Sequence, residues 1–130
     1  MYSNKNLTGM VIHLSNNKTI GEIQEEFSEY FPFLKLGFFT KTHKPYEGSS
    51  KNGMLHPDSE IHLLKVEKAK VKISEDMTVS ELEQMFKTKF GLNVQVFRKS
   101  GKSWLETTFT DNWTLKKQNE EGRELSDLSF

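Results

Sequence analysis

The chain has 130 residues, with 18 Lys+Arg balancing 18 Asp+Glu and no cysteine. That length suits one domain burying roughly two-thirds of its unfolded surface, and the missing cysteines exclude disulfides, thiolate metal sites and a cysteine nucleophile. Zero net charge, with Arg98 and Arg123 as the only arginines, argues against a dedicated polyanion binder.

In chain order, Met1 to Lys5 leads into a strand pattern at Met10 to Leu14 and not into a signal-peptide apolar stretch. No apolar run approaches the ~20 residues of a membrane span, so a cytoplasmic location is expected. Leu14 to Phe31 reads LSNNKTIGEIQEEFSEYF. Thr19 and Glu22 form a T-x-x-E capping box, and Ile20, Ile23, Phe27, Tyr30 and Phe31 line one face of a helix that Pro32 stops. Leu34 to Phe38 alternates as a half-buried strand. A loop rich in turn formers follows, Thr42 to Gly53, then an acidic turn, Pro57-Asp58-Ser59-Glu60-Ile61. Ile61 to Val66 reads equally as a strand or a short helical turn.

The pattern then recurs. Ala69, Val71 and Ile73 alternate with Lys68, Lys70 and Lys72 as a strand, and Ile73 to Phe90 reads ISEDMTVSELEQMFKTKF. Here Thr78 and Glu81 are the capping box, Val79, Leu82, Met85, Phe86 and Phe90 the apolar face, and Gly91 a left-handed stop. Leu92 to Val96 is the next strand. Lys99-Ser100-Gly101-Lys102 turns into another, Trp104 to Phe109, before the turn Thr110 to Leu115. Arg123 to Phe130 suits a closing edge strand through Leu125, Leu128 and Phe130, or a frayed tail.

Thr19/Thr78, Glu22/Glu81, Phe27/Phe86 and Phe31/Phe90 each stand 59 positions apart, which marks an internal duplication. The expected fold is α+β, one domain over 1–130 built of two pseudo-symmetric β-α-β-β repeats, about 8–66 and 67–130. Two helices cover a mainly antiparallel sheet in a ferredoxin-like arrangement, with a β-grasp-like pair as the alternative. Units of this size fold only marginally alone, and Lys65 to Lys68 has no flexible-linker composition.

The second copy, TVSELEQMFKTKFGLNVQVFRKSG followed by TDNWTLKKQNEEG, resembles part of a ubiquitin-like β-grasp module, though without the opening hairpin. It is closer to a set of uncharacterised small bacterial tandem-repeat proteins with the pattern T-x-x-E-L…F-x-x-x-F-G…D-x-x-T-L. The first copy departs from that pattern with Pro32 and a long loop. The resemblance implies a fold and supplies no activity.

Chemistry-bearing patterns are sparse. Gly101-Lys102-Ser103 imitates the end of a phosphate-binding loop, but Val96 stands where its first glycine belongs, so a hairpin turn explains it. His56, Asp58 and His62, with His43 or His13, have the atoms of a zinc site but not the spacing. No nucleophile elbow or triad appears, so no catalytic residue, metal or cofactor is assigned. Glu22, Glu25, Glu26 and Glu29 form an acidic stripe on the first helix, the candidate surface for a partner protein together with the loop Thr42 to Gly53. The competing candidate is single-stranded nucleic acid on a lysine-rich face (Lys68, Lys70, Lys72, with Lys65, Lys99 and Lys102) beside Trp104 or Phe97. Lysines on a strand also prevent edge-to-edge aggregation, which is the preferred account. The expected function is a non-catalytic interaction or scaffold module.

Overall fold

The computed structural model describes residues 8–40, 53–64 and 66–127. The element order is β1 (Gly9–Ser15), α1 (Ile20–Tyr30), β2 (Leu34–Phe39), β3 (Lys68–Ser74), α2 (Val79–Phe90), β4 (Asn93–Ser100), β5 (Ser103–Glu106) and α3 (Leu115–Asp127). The chain is α+β, with three helices packed on antiparallel sheets. No helix among the described residues is long and apolar enough to cross a membrane.

The expected single sheet is instead two: β1 pairs with β3, and a second sheet has the order β2-β4-β5. The two strands flanking each helix therefore never pair with each other. Each finds its partner in the other half of the chain. In the first ladder Ile12 faces Val71, its own equivalent 59 positions on, with Met10 opposite Ile73 and Leu14 opposite Ala69. In the second, Leu36 faces Val96 and Phe38 faces Val94.

Both capping boxes form. The Thr19 and Thr78 hydroxyls accept from the N–H groups of Glu22 and Glu81, whose carboxylates accept from the Thr19 and Thr78 N–H groups. The Thr19 hydrogen bonds also hold the Glu22 carboxyl below its usual pKa. Helix α2 ends at Gly91, whose φ of 69° is left-handed and favours glycine. Ile20, Ile23, Phe27 and Phe31 from α1 join Val79, Leu82, Phe86 and Phe90 from α2 in one core with both sheets. The Phe27–Phe31 and Phe86–Phe90 rings pack with centroids 5.1 and 6.1 Å apart. Tyr30 and Met85 are only half-buried.

The C-terminal expectation is corrected: 123–127 belongs to helix α3, a third helix, and is not an edge strand. Leu128 and Phe130 lie outside the described residues. The face of α3 against the protein is Leu115, Gln118 and Gly122, all buried. A Cβ on Gly122 would come within 2.9 Å of Phe33 Cβ, so glycine here lets the helix approach closely. Asn119 Oδ1 accepts from the Phe33 N–H at 2.9 Å, and Gln118 joins Arg98 Nη1 (3.0 Å) to the Thr110 carbonyl (2.8 Å). Ile61 to Leu64 joins neither a helix nor a strand. The expected strand Trp104 to Phe109 is shorter, Ser103–Glu106, and continues into a 3-10 turn at Thr108–Thr110. After β2, Met54 makes an isolated bridge to Phe39 among the described residues.

The caps are testable locally. Thr19→Ala and Thr78→Ala should each lower stability by about 1 kcal/mol in urea denaturation, and Ser at either position should recover most of it.

Candidate interaction surface

The helix N-termini are closed by the chain itself. Besides the capping boxes, the Ile20 and Gly21 N–H groups donate to the Ser59 and Pro57 carbonyls, and those of Val79 and Ser80 to Trp113 and Asp111. Helix α3 is closed likewise, with Leu115 and Lys116 donating to Met77 and Glu75, and Lys117 to the Thr114 hydroxyl. A helix start binds anions through unpaired N–H groups. These three have spent theirs.

The acidic stripe on α1 divides by role. Glu22 serves the cap, and Glu26 pairs with Lys18 at 2.6 Å. Glu25 and Glu29 are exposed one turn apart. The equivalent positions of α2, 59 residues on, are Gln84 and Thr88, so the fold does not require acid there. Like charges at i, i+4 and an acid in a last turn without a basic residue both cost helix stability. The loop 42–52 lies outside the described residues.

The lysine candidates separate. Lys68, Lys70 and Lys72 are exposed on β3, opposite Ser15, His13 and Val11. Trp104 is in the other sheet, on β5, where the ammonium groups of Lys35 and Lys99 each lie 5.9 Å from its ring centroid. Lys65 lies outside the described residues, and Gly101-Lys102 is the two-residue turn between β4 and β5. The histidines do not gather: no group of three or more His, Asp or Glu able to hold a metal occurs among the described residues. His56 sits 3.6 Å from Asp58, both exposed, and His62 is exposed. His43 is outside the described residues.

Two features escape sequence inspection. The first is the edge of the three-stranded sheet. Along β2, Gln24 and Ser28 side chains donate to the Leu36 and Leu34 carbonyls, and the Leu55 N–H donates to that of Phe38. On the other side, β4 is covered by β5 and, at Val96, by Thr107 and Glu83. Among the described residues no strand lies on the outer side of β5, and all four of its residues are exposed. Trp104 (39% exposed) and Leu105 (44%) lie on it, and Phe109 just beyond is 97% exposed. Three large apolar groups are thus exposed within six residues on and just beyond this outer strand.

The second is Glu83. Its carboxylate accepts from the Val96 N–H at 3.1 Å, and burial, with Asp111 and Glu106 as acidic neighbours, pushes its pKa up to about 7 despite that hydrogen bond. The sequence signal is the 59-position offset: Gln24, 59 positions earlier, donates its uncharged amide to the Leu36 carbonyl at the sheet edge. A buried carboxyl near pKa 7 suits acid–base work, but this one is tied to a main-chain amide as an edge cap.

Comparison with known proteins found no matching family model, no matching curated protein and no matching solved structure.

The raised Glu83 pKa has a definite sign. Below pH ~4.5 the carboxyl is neutral folded and unfolded; between ~4.5 and ~7 the unfolded chain ionises first, and stability falls until both forms are charged. Glu83→Gln should abolish that loss and stabilise the protein at pH 8 by about 2–3 kcal/mol relative to its effect at pH 4, measured by urea denaturation at the two pH values.

Proposed function

We propose that the chain is two copies of one β-α-β unit related by a pseudo-two-fold axis, acting as a non-catalytic protein-interaction module whose main docking surface is the open edge of β5. The duplication is supported by the ladders, in which equivalent residues face each other (Ile12 and Val71) or exchange places (Leu36 with Val96, Phe38 with Val94). It is supported too by the matching closure of α1 by Ser59 and Pro57 and of α2 by Trp113 and Asp111. The binding role rests on one observation: Trp104, Leu105 and Phe109 are exposed along the only open edge of their sheet among the described residues. Isolated exposed apolar groups are ordinary, but a run of them on unpaired backbone is where a partner strand adds. Glu25 and Glu29 offer a second, charge-selective surface for a basic segment.

A second reading has its own observation. Lys35 and Lys99 flank Trp104, which is the aromatic-plus-cation combination that stacks single-stranded bases. It differs from the lysine face of β3. An oligonucleotide gel shift at low salt, lost in Lys35→Glu/Lys99→Glu, would favour it.

The docking role is tested by capture. With the whole chain immobilised, Leu105→Ser and Phe109→Ser should each release the captured protein while changing stability by no more than ~0.5 kcal/mol for Phe109. Capture unchanged by both substitutions would contradict the role of the edge. Glu25→Lys/Glu29→Lys should release only basic partners.

A further inference from the structure

We propose that β5 pairs antiparallel with β5 of a second copy of this chain, centred on Trp104, joining two three-stranded sheets into one of six strands. The inference rests on reading the β5 edge as an interaction surface and names its occupant. Backbone parity and charge carry it.

Ser100 faces Ser103 across the two-residue turn, and the register runs on through Lys99–Trp104, Arg98–Leu105 and Phe97–Glu106. Beyond it the Thr107 N–H reaches the Val96 carbonyl at 3.3 Å. Hydrogen-bonded and non-bonded pairs alternate along an antiparallel ladder, so the main-chain groups of 103, 105 and 107 point to β4. Those of Trp104 and Glu106 point outward. An incoming antiparallel strand must match outward groups with outward groups, and for a second copy this admits the register that sets Trp104 against its own counterpart. Trp104 N–H then donates to the second copy's Trp104 carbonyl, and the reverse.

The same register sets Lys102 opposite Glu106 on both sides of the axis. The segment Lys102-Ser103-Trp104-Leu105-Glu106 is thus charge-complementary to itself when antiparallel, basic at one end and acidic at the other. Opposite charges facing across a pair stabilise it, and like charges destabilise it. The two indole rings share the face that carries Lys35 and Lys99. One short strand pairing falls in the small-interface class below ~1,200 Å², so association is weak and concentration-dependent.

The test is sedimentation of the full chain from about 10 μM to about 1 mM, near neutral pH and at low salt, where a weak dimer populates. The expected result is a monomer–dimer equilibrium. Lys102→Glu and Glu106→Lys should each weaken it by about tenfold or more, because each sets like charges face to face. Mixing those two variants should restore association, since the new carboxylate of one then faces the new ammonium of the other; a variant that merely misfolds would not be rescued. Trp104→Pro, which removes an outward N–H that β4 does not use, should give a monomer. A wild-type chain monomeric throughout, or a dimer indifferent to both charge reversals, overturns the proposal. Capture of another protein by the wild type but not by Trp104→Pro would then show the edge reading standing without self-pairing; capture equal in both would sink the two together.

Discussion

The constraint on which this fold depends is that neither β-α-β unit can satisfy its own strands. β1 and β2 are separated by α1 and do not pair; β3 and β4 are separated by α2 and do not pair. Each strand exposes a row of main-chain donors and acceptors that only the other unit fills, and leaving such groups buried and unpaired is expensive. The ladders β1–β3 and β2–β4 are therefore the joint between the halves as well as their secondary structure. A unit of about half this chain would also bury too little apolar surface to stand alone.

Other contacts close helix starts and part of the sheet margins. Carbonyls from the two turns before Ile61 and Leu115 fill the N-termini of α1 and α2. Gln24, Ser28 and Glu83 reach from the helices to the sheet margins. With those positions spent on structure, β5 is the outer strand of the three-stranded sheet that no other strand covers among the described residues, and the exposed apolar residues lie there. Glu83 and Gln24, 59 positions apart, both bond sheet main chain, Gln24 as a donor to a carbonyl and Glu83 as an acceptor from an N–H, but only the carboxyl makes stability depend on pH.

Much of this was legible in the residues. The capping boxes at Thr19 and Thr78, the Phe pairs and the Gly91 stop each carry a local physical instruction, and the structure follows them. Helix α3 was not legible because its buried face is Leu115, Gln118 and Gly122, where a close approach to Phe33 and a hydrogen-bonded amide replace the apolar stripe. Its signal was the Thr114 cap ahead of a run of helix formers. The split into two sheets was not legible either, since hydrophobic alternation says which face is buried and not which strand lies alongside. The acidic stripe read as one surface because spacing places Glu22, Glu25, Glu26 and Glu29 together, while the cap and Lys18 claim two of them. The β5 edge was invisible because openness belongs to the whole sheet and not to the four residues of the strand.

Native-state amide hydrogen exchange at low denaturant tests the interlocking most directly. If the halves depend on each other, the ladder amides of Ile12, Val71, Gly37 and Gln95 exchange only through global unfolding, with one common free energy and denaturant dependence. Exchange of the β1–β3 amides through a separate, lower-energy opening while β2–β4 stays protected would contradict it.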